Sequence, residues 1–492
     1  MRNCLSTLAV LLTVLAAPVL AQNLAPANSV PQPDGWDAGL ALPQVQDINP
    51  DPAILEFNLE ASITALEIVP GTTTPVWTYN GGLPGPLIKL NVGDRLIVHF
   101  TNNLPEPTTI HWHGVRVPNE MDGSPGFTQQ PVAPNGGTFT YDYVVHDAGT
   151  FWYHPHSNSA AQVGWGLYGP MLVSDPAERN DFGDELVLIL SDMSLDESGQ
   201  FLPVDVGNAF GDLFGREGSI LLVNGKVKPT LNVRQGKQQR WRVINAARSR
   251  YYTLRYKREP LMRLGGDNGF AERTQIVDQI KLVPGERADF VLTPTDVPGT
   301  QTRFRWYPTD RGYGSTFNRL AEDMMTIVTV DAPAVQPFAL QDSMPLREIV
   351  PVDTTGALER EINLTIEMKG DNTVEMGING VPHHKAKPLV AHVGDTEVWT
   401  VKNATDFSHP FHMHGYFFQV LDAARVPEWK DTVDVPSKTE LKLAVRYDDR
   451  PGMWMYHCHI LDHAEIGMMG HLQVLPAGVD PEQSADGSHK HE

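Results

Sequence analysis

Cysteine is almost absent: of 492 residues only Cys4 and Cys458 carry a thiol. Cys4 falls in a stretch with the marks of an export leader. Arg2 precedes the apolar run Leu8 to Leu15, and Val19-Leu20-Ala21 stands before Gln22, so cleavage after Ala21 is expected. The mature chain then has one thiol and no internal disulfide. A lone thiol in an oxidising compartment is a liability unless something such as a metal protects it, which makes Cys458 the residue to explain. Long apolar runs are missing as well. No later segment reaches about 18 apolar residues, so no stable membrane span is expected. With no twin-arginine pair ahead of the apolar run, general secretion to the periplasm or the medium is the simpler route, and the lack of disulfides points to a bacterial source. Basic charge is short too: 38 Lys and Arg against 59 Asp and Glu leave a formal net charge of −21. That argues against nucleic acid as a partner, because phosphate binding needs a concentrated basic surface. Sustained helical periodicity is also scarce, while 39 Pro and 42 Gly break the chain into short runs, so an all-β fold is expected.

Internal repetition supplies the organisation. Three strand-like runs open on a glycine: Gly93-Asp94 before RLIVHFTN, Gly236-Lys237 before QQRWRVIN and Gly394-Asp395 before TEVWTVKN. Nine residues after each glycine stands an asparagine, Asn102, Asn245 or Asn403, a turn-prone residue that closes the run. Eighteen residues after each glycine the copies diverge into His111, Leu254 and His412. A second match joins the outer copies: Gly149-Thr-Phe-Trp-Tyr leads into His154-Pro-His156, and Gly452-Met-Trp-Met-Tyr into His457-Cys458-His459. The middle copy offers only Arg305-Trp306-Tyr307, and between His156 and His383 there is neither histidine nor cysteine. The middle copy therefore lacks nitrogen and thiolate ligands, and its expected role is architectural. With further runs such as ELVLIL, DFVLT and HLQVL between short Gly, Pro and Asp-rich breaks, the chain reads as three β-sandwiches. The expected division is a leader over 1–21, a linker over 22–50, domains over 51–176, 177–334 and 362–476, a linker over 335–361, and a disordered tail over 477–492.

Ten of the 18 histidines lie in four short clusters: His111 and His113; His154 and His156; His409, His412 and His414; and His457, His459 and His463. In an extended chain residues i and i+2 point to the same side, so each His-x-His pair can present two imidazoles to one metal cluster. Four pairs supply eight ligands. In His457-Cys458-His459 the same alternation sends the thiol to the opposite side, so one strand touches two sites. A thiolate, two histidines and a weak axial methionine make up a type 1 copper site, and Cys458 with His409, His463 and Met468 completes that set.

These four motifs resemble those of multicopper oxidases, the group of laccases, bilirubin oxidases and bacterial copper-efflux oxidases, over roughly residues 50 to 476. The resemblance implies three consecutive cupredoxin-like Greek-key β-sandwiches and four copper ions, one type 1, one type 2 and two type 3. By motif position, His111 and His412 match the type 2 ligands. His113, His154 and His459 match one type 3 copper, and His156, His414 and His457 the other. Asp122, eleven residues after His111, stands where bacterial members carry an aspartate assigned to proton delivery. Copper-efflux oxidases tend to have a glutamate directly after the type 1 histidine that follows the cysteine; here that residue is Ala464, with Glu465 one place later, so the second proton donor is not identified. The remaining histidines, among them His99, His146, His383, His384, His392 and His471, are expected to be ordinary satisfied or exposed side chains.

The implied reaction takes four electrons, one at a time, from a small-molecule or metal-ion reductant and delivers them to dioxygen, forming water. An axial Met468 holds the type 1 potential in the low to middle part of the family's range and favours easily oxidised donors. The clearest Cu(I) oxidases of the family carry a methionine-rich insertion in the third domain, and the stretch from Glu361 to His392 has only Met368 and Met376, which weighs against a dedicated Cu(I) oxidase without excluding one. A laccase-like oxidase of phenols and aromatic amines is preferred over an envelope metallo-oxidase of Cu(I), Mn(II) or Fe(II). Asp462 and Glu465, flanking His463, are candidates for steering a cation or taking a phenol proton, with solvated loop carboxylates as the plainer explanation. A non-catalytic cupredoxin scaffold would not retain all twelve ligand positions, and a plain electron carrier would need only the type 1 set. A monomer is expected, because the first and third domains of one chain can supply both halves of the copper cluster.

Overall fold

In the strand Arg95–Asn102, Leu96, Val98, Phe100 and Asn102 are buried and the residues between them are not. This period of two is what an edge-to-core pleat demands, and it recurs along the chain. The computed structural model describes residues 32, 34–178, 181–314, 319–331, 339–370 and 373–480. The expected leader over 1–21 and residues 481–492 of the expected tail lie outside the described residues. Among the described residues the strands assemble into six sheets that form three sandwiches in succession, a cupredoxin-like all-β architecture. The sheets hold four and four strands in the first unit, six and five in the second, and five and five in the third.

The repeat in the sequence is a repeat in space. In each unit the first strand runs parallel to the strand that follows the repeated glycine: Ile54 pairs with Arg95, Gln239 with Asp184, and Leu358 with Glu397. The asparagine that ends each repeated strand is buried and does more than favour a turn. Asn102 Nδ2 donates to the carbonyls of Glu106, Val132 and Ala133, and Asn403 Nδ2 to those of Phe407, Val435 and Pro436. Asn245 Nδ2 donates to Arg250 and Leu282, while its Oδ1 accepts the Ala247 N–H. Each amide thus ties the end of a core strand to the loop that carries the next segment, satisfying backbone groups that burial would otherwise leave unpaired.

The outer units share a second device. Tyr153 sits opposite Gly169, and Tyr456 opposite Gly470. A Cβ on either glycine would lie 2.2 Å or 2.5 Å from the tyrosine ring, so only glycine admits the ring there. These tyrosines lie on the strands Gly149–His154 and Gly452–Cys458, whose ends carry the histidine motifs.

Three short helices cluster where the units meet: α1 (Ser159–Gly164), α2 (Asn208–Phe214) and α3 (Leu461–Glu465). α3 touches both α1 from the first unit and α2 from the second. Among the described residues no helix is long and apolar enough to cross a membrane. The cores are built around Trp112 in the first unit, Trp241 in the second, and Trp399 and Trp454 in the third.

The asparagine bracket is best tested in the middle unit, which carries no histidine of its own. Asn245→Ala strands two carbonyls and one N–H in a buried site and is expected to destabilise the protein by about 2–4 kcal/mol. Chemical denaturation followed by tryptophan fluorescence reads this out, and an unshifted midpoint would leave the bracket without energetic weight.

Candidate metal centre

The histidine pairs converge because strand register brings them together. His111 lies opposite His154 in the first unit, and His412 opposite His457 in the third. Each unit therefore presents one patch of imidazoles, and the two patches face each other across the boundary between units. His111 stacks on His414 with ring centroids 3.8 Å apart, and His113 on His412 at 3.9 Å. His414 and His457 approach to 3.2 Å between Nε2 atoms, and with His156 they form one three-nitrogen group. His111, His113 and His154 form another, and His459 lies 4.9 Å from His113 and 5.6 Å from His154 by ring centroid. All eight rings are buried.

Their orientation is set from behind. His111, His154, His412 and His457 each donate Nδ1–H to a backbone carbonyl, of Asp122, Pro155, Asp431 and Cys458 respectively, all at 2.9 Å. This selects one tautomer and leaves the Nε2 lone pair facing inward. The inward nitrogens of His111, His113, His154 and His412, and both of His459, have no hydrogen-bond partner although they are buried. Burial, reinforced by neighbouring imidazoles, holds His113, His154, His156, His457 and His459 well below the usual histidine range, so these rings are neutral and available as ligands. Neutral, unpartnered, convergent imidazoles fit a metal cluster and fit little else.

On the other side of the same strand, Cys458 is fully buried in the core of the third unit. Its Sγ lies 3.6 Å from His409 Nδ1 and 3.7 Å from His463 Nδ1, and the two nitrogens are 3.1 Å apart. Met468 is buried in the same core, and its carbonyl accepts the Cys458 N–H at 3.0 Å. Burial pushes the Cys458 thiol up, so a nearby cation is what would make it a thiolate. Burial also lowers His463, to about 3, ahead of the nearby Arg311 charge. The outer nitrogen of His463 donates to the Leu213 carbonyl of α2 at 3.2 Å, so a helix of the middle unit covers that edge.

Asp122 lies between the two patches. Its Oδ2 accepts His414 Nδ1–H at 2.9 Å and the Ser124 hydroxyl, and its Oδ1 is 3.4 Å from His111 Nδ1. Burial raises this carboxyl, but His414 and His111 outweigh it and hold it well below the usual carboxylate range.

Three features were not legible as parts of the centre. Asp431, one acid among many in the sequence, accepts His113 Nε2–H at 3.1 Å and is gripped by both ends of the Arg287 guanidinium, at 2.7 and 2.5 Å. Burial pushes Asp431 up, and Arg287 overrides that and keeps it ionised. Arg287 comes from the middle unit and also donates to the Thr150 carbonyl of the first, so one buried side chain joins all three. Gly285, also from the middle unit, has φ +86°, and a Cβ there would lie 2.9 Å from both the His113 and His459 rings. The absence of histidine from the middle copy concealed this role, which requires arginine and glycine instead.

Asp462 corrects an expectation. It is neither a cation-steering group nor a solvated loop carboxylate, but is 2% exposed and takes Arg216 Nη1 at 2.6 Å, Ser249 Oγ at 2.9 Å and Arg248. A buried carboxylate needs such partners, and here the middle unit supplies them and docks on α3. Glu465 accepts the N–H and hydroxyl of Ser159 at the start of α1, at 2.6 and 2.8 Å.

A cupredoxin-like architecture with one buried thiol–imidazole site, backed by an eight-imidazole cluster, defines a copper-binding redox protein. Known proteins make the class specific. Family models described as multicopper oxidase match residues 61–178, 208–304 and 354–478. The chain is 30% identical to multicopper oxidase MmcO of Mycobacterium tuberculosis, over 82% of this chain and 84% of that protein. It is 27% identical to a laccase of Bacillus subtilis, over 82% and 90%. A solved structure of a multicopper oxidase from Campylobacter jejuni, described as a metallo-oxidase, matches with a TM-score of 0.79 and 29% identity, covering 92% of this chain and 98% of that one. The chain belongs to the multicopper oxidase family, and as such is a copper-dependent oxidoreductase that uses dioxygen as acceptor.

Gly285→Ala should drive a methyl group between two of the cluster's rings. Copper bound by the eight histidines is expected to fall while the Cys458 site keeps its own, which metal analysis together with the visible thiolate band would show. A full copper complement would mean that the rings tolerate the intrusion.

Proposed function

We propose that the protein oxidises aromatic donors, phenols or aromatic amines, one electron at a time, and couples four such oxidations to the reduction of dioxygen to water with four copper ions. The observation that carries this reading is the strand ending in His457-Cys458-His459, with its thiol on one side and its imidazoles on the other. His409, Cys458, His463 and Met468 hold the type 1 copper. His111 and His412 hold the type 2 copper, and the sets His113, His154, His459 and His156, His414, His457 hold the type 3 pair. Bound copper supplies the one-electron relay and the dioxygen chemistry.

The protein's own groups do the rest. Cys458 is covalently continuous with both flanking histidines, which gives a short path between the two sites. Asp122 is the proton-delivering carboxylate, supported by its hydrogen bonds to His414 and Ser124 at the cluster's edge. Electrons reach His463 across α2, since the Leu213 carbonyl caps its outer nitrogen. The surface of that helix is aromatic: Phe210 is 75% exposed, and Phe214 packs on Tyr313 and Phe407 with centroids 5.4 and 5.2 Å apart. Donor rings stack on such a surface. The Campylobacter relative's description as a metallo-oxidase points to a metal-ion donor instead, but Asp212, Glu217 and Asp462 around α2 are all engaged by arginines. In this reading residues 51–176 and 362–476 are the copper-bearing domains and 177–334 the domain that braces them. The mature protein acts as a monomer in the periplasm or outside the cell, after cleavage following Ala21.

Copper-loaded protein is expected to hold about four coppers per chain and to show a thiolate band near roughly 600 nm that Cys458→Ser abolishes. Asp122→Asn is expected to keep the band and lower oxygen uptake roughly 100-fold. One copper or none, or unimpaired oxygen uptake by Cys458→Ser, would overturn the assignment. For the donor, Phe214→Ala is expected to raise KM for a phenol about five-fold, in line with the ~1 kcal/mol of a ring contact, and to leave KM for Cu(I) unchanged. Equal effects on both donors would remove the argument for aromatic docking.

A further inference from the structure

His383 and His471, 88 residues apart in sequence, bring their Nε2 atoms to 2.8 Å, with ring centroids 4.5 Å apart. Two other imidazole pairs approach nearly as closely: His409 with His463 at 3.1 Å, and His414 with His457 at 3.2 Å. Both of those belong to the metal centres described above. A hydrogen bond between two neutral rings explains the distance at the third pair but does not explain its surroundings.

The pair is held in place from three directions. His383 starts a turn, and its N–H donates to the Gly467 carbonyl at 3.1 Å, beside Met468. His471 lies on the strand Met469–Leu475, where it is 4% exposed. Phe127 of the first unit closes over it with centroids 4.1 Å apart. Strand alternation sends Leu472 and Val474 into the core of the third unit and leaves Met469 and His471 on the opposite face. Register then sets Met455 directly across from His471, a placement that puts Cβ atoms about 5 Å apart. Met455 and Met469 are themselves buried together.

We infer that His383 and His471, with the Met455 thioether beside them, bind a copper ion as Cu(I) at a site separate from the twelve ligands assigned above. Two imidazoles and a thioether are a soft-to-borderline set, suited to Cu(I) and poor for Mg²⁺ or Ca²⁺. A change of tautomer moves the shared hydrogen to Nδ1 and frees both Nε2 lone pairs. An ion at a bond length of about 2.0 Å then needs the nitrogens roughly 0.5–0.7 Å further apart, at tetrahedral or trigonal angles. Burial lowers both rings, His471 to about 4, so they are neutral at pH 7. Phe127, 37% exposed, lines a cleft of about 390 Å³ with Met453 and Gln473 and packs its ring on His471, so it stands between that cleft and the pair. The site also adjoins the main cluster, because Met455 and His457 share one strand face about 7 Å apart. Copper held here sits beside the cluster, one step along the strand from His457.

The full-length protein, saturated anaerobically with Cu(I) and then freed of loosely bound metal, provides the test. The double variant His383→Gln, His471→Gln is expected to hold one copper per chain fewer than the wild type and, once both are reoxidised in air, to show the same Cu(II)–thiolate band near roughly 600 nm. Met455→Leu is expected to weaken that copper about ten-fold in competition with a Cu(I) chelator. Because the readout is a difference, it stands whatever total the main sites contribute. Equal copper in the wild type and the double variant overturns the inference. Crystals of the wild type soaked in Cu(I) test it without a substitution: an anomalous copper peak between the two Nε2 atoms supports the site. A site left empty while the Cys458 centre is filled overturns it, as does one that takes Zn²⁺ but not Cu(I).

Discussion

Five imidazoles, of His111, His113, His154, His412 and His459, buried between two sandwiches with an inward nitrogen that has no hydrogen-bond partner, are the constraint around which the molecule is arranged. A buried polar group left unpaired costs roughly 1–3 kcal/mol. Five of them rival the ~5–15 kcal/mol by which a typical protein is stable at all. Protonation offers no relief at His113, His154 and His459, because burial and neighbouring imidazoles hold these rings well below the usual histidine range. Metal ions resolve the conflict by accepting the lone pairs, and the surrounding structure keeps the lone pairs aimed inward. Backbone carbonyls behind His111, His154, His412 and His457, and carboxylates behind His113 and His414, all serve that end.

The outer sandwiches cannot hold this arrangement unaided, since each contributes only half of the rings. The middle sandwich has no ligands, yet it determines how the halves meet. Arg287 reaches from it to Thr150 in the first unit and Asp431 in the third, and Gly285 fills the space behind His113 and His459 without a side chain. Its arginines 216 and 248 neutralise Asp462 on α3, and its helix α2 closes over His463. A unit without histidine or cysteine thus controls both the geometry of the cluster and the cover over His463.

Much of this was legible in the sequence because the chemistry is concentrated in short runs. His-x-His pairs and the His457-Cys458-His459 triplet lie on extended segments, where a period of two decides which side chains share a face. The three glycine-to-asparagine runs became three equivalent strands for the same reason. Other parts left no such trace. Asp431 and Arg287 follow no periodicity that distinguishes them from other charged residues, and the Leu213 carbonyl is a backbone atom that every residue possesses. Asp462 was misread because proximity to His463 in sequence suggests a solvated loop, whereas docking of the middle unit buries it. His383 and His471, expected to be ordinary satisfied or exposed side chains, are hydrogen-bonded to each other across 88 residues, a pairing that no local spacing announces.

By itself the sequence determined the fold class, the supply of ligands and the two-sided strand at Cys458, since these depend on residue type and on spacing along a few extended segments. Tertiary structure alone decided which nitrogens meet, which carboxylates are buried and which helix covers His463. Those contacts join residues up to about three hundred positions apart, and their geometry comes from how three sandwiches pack rather than from any local pattern.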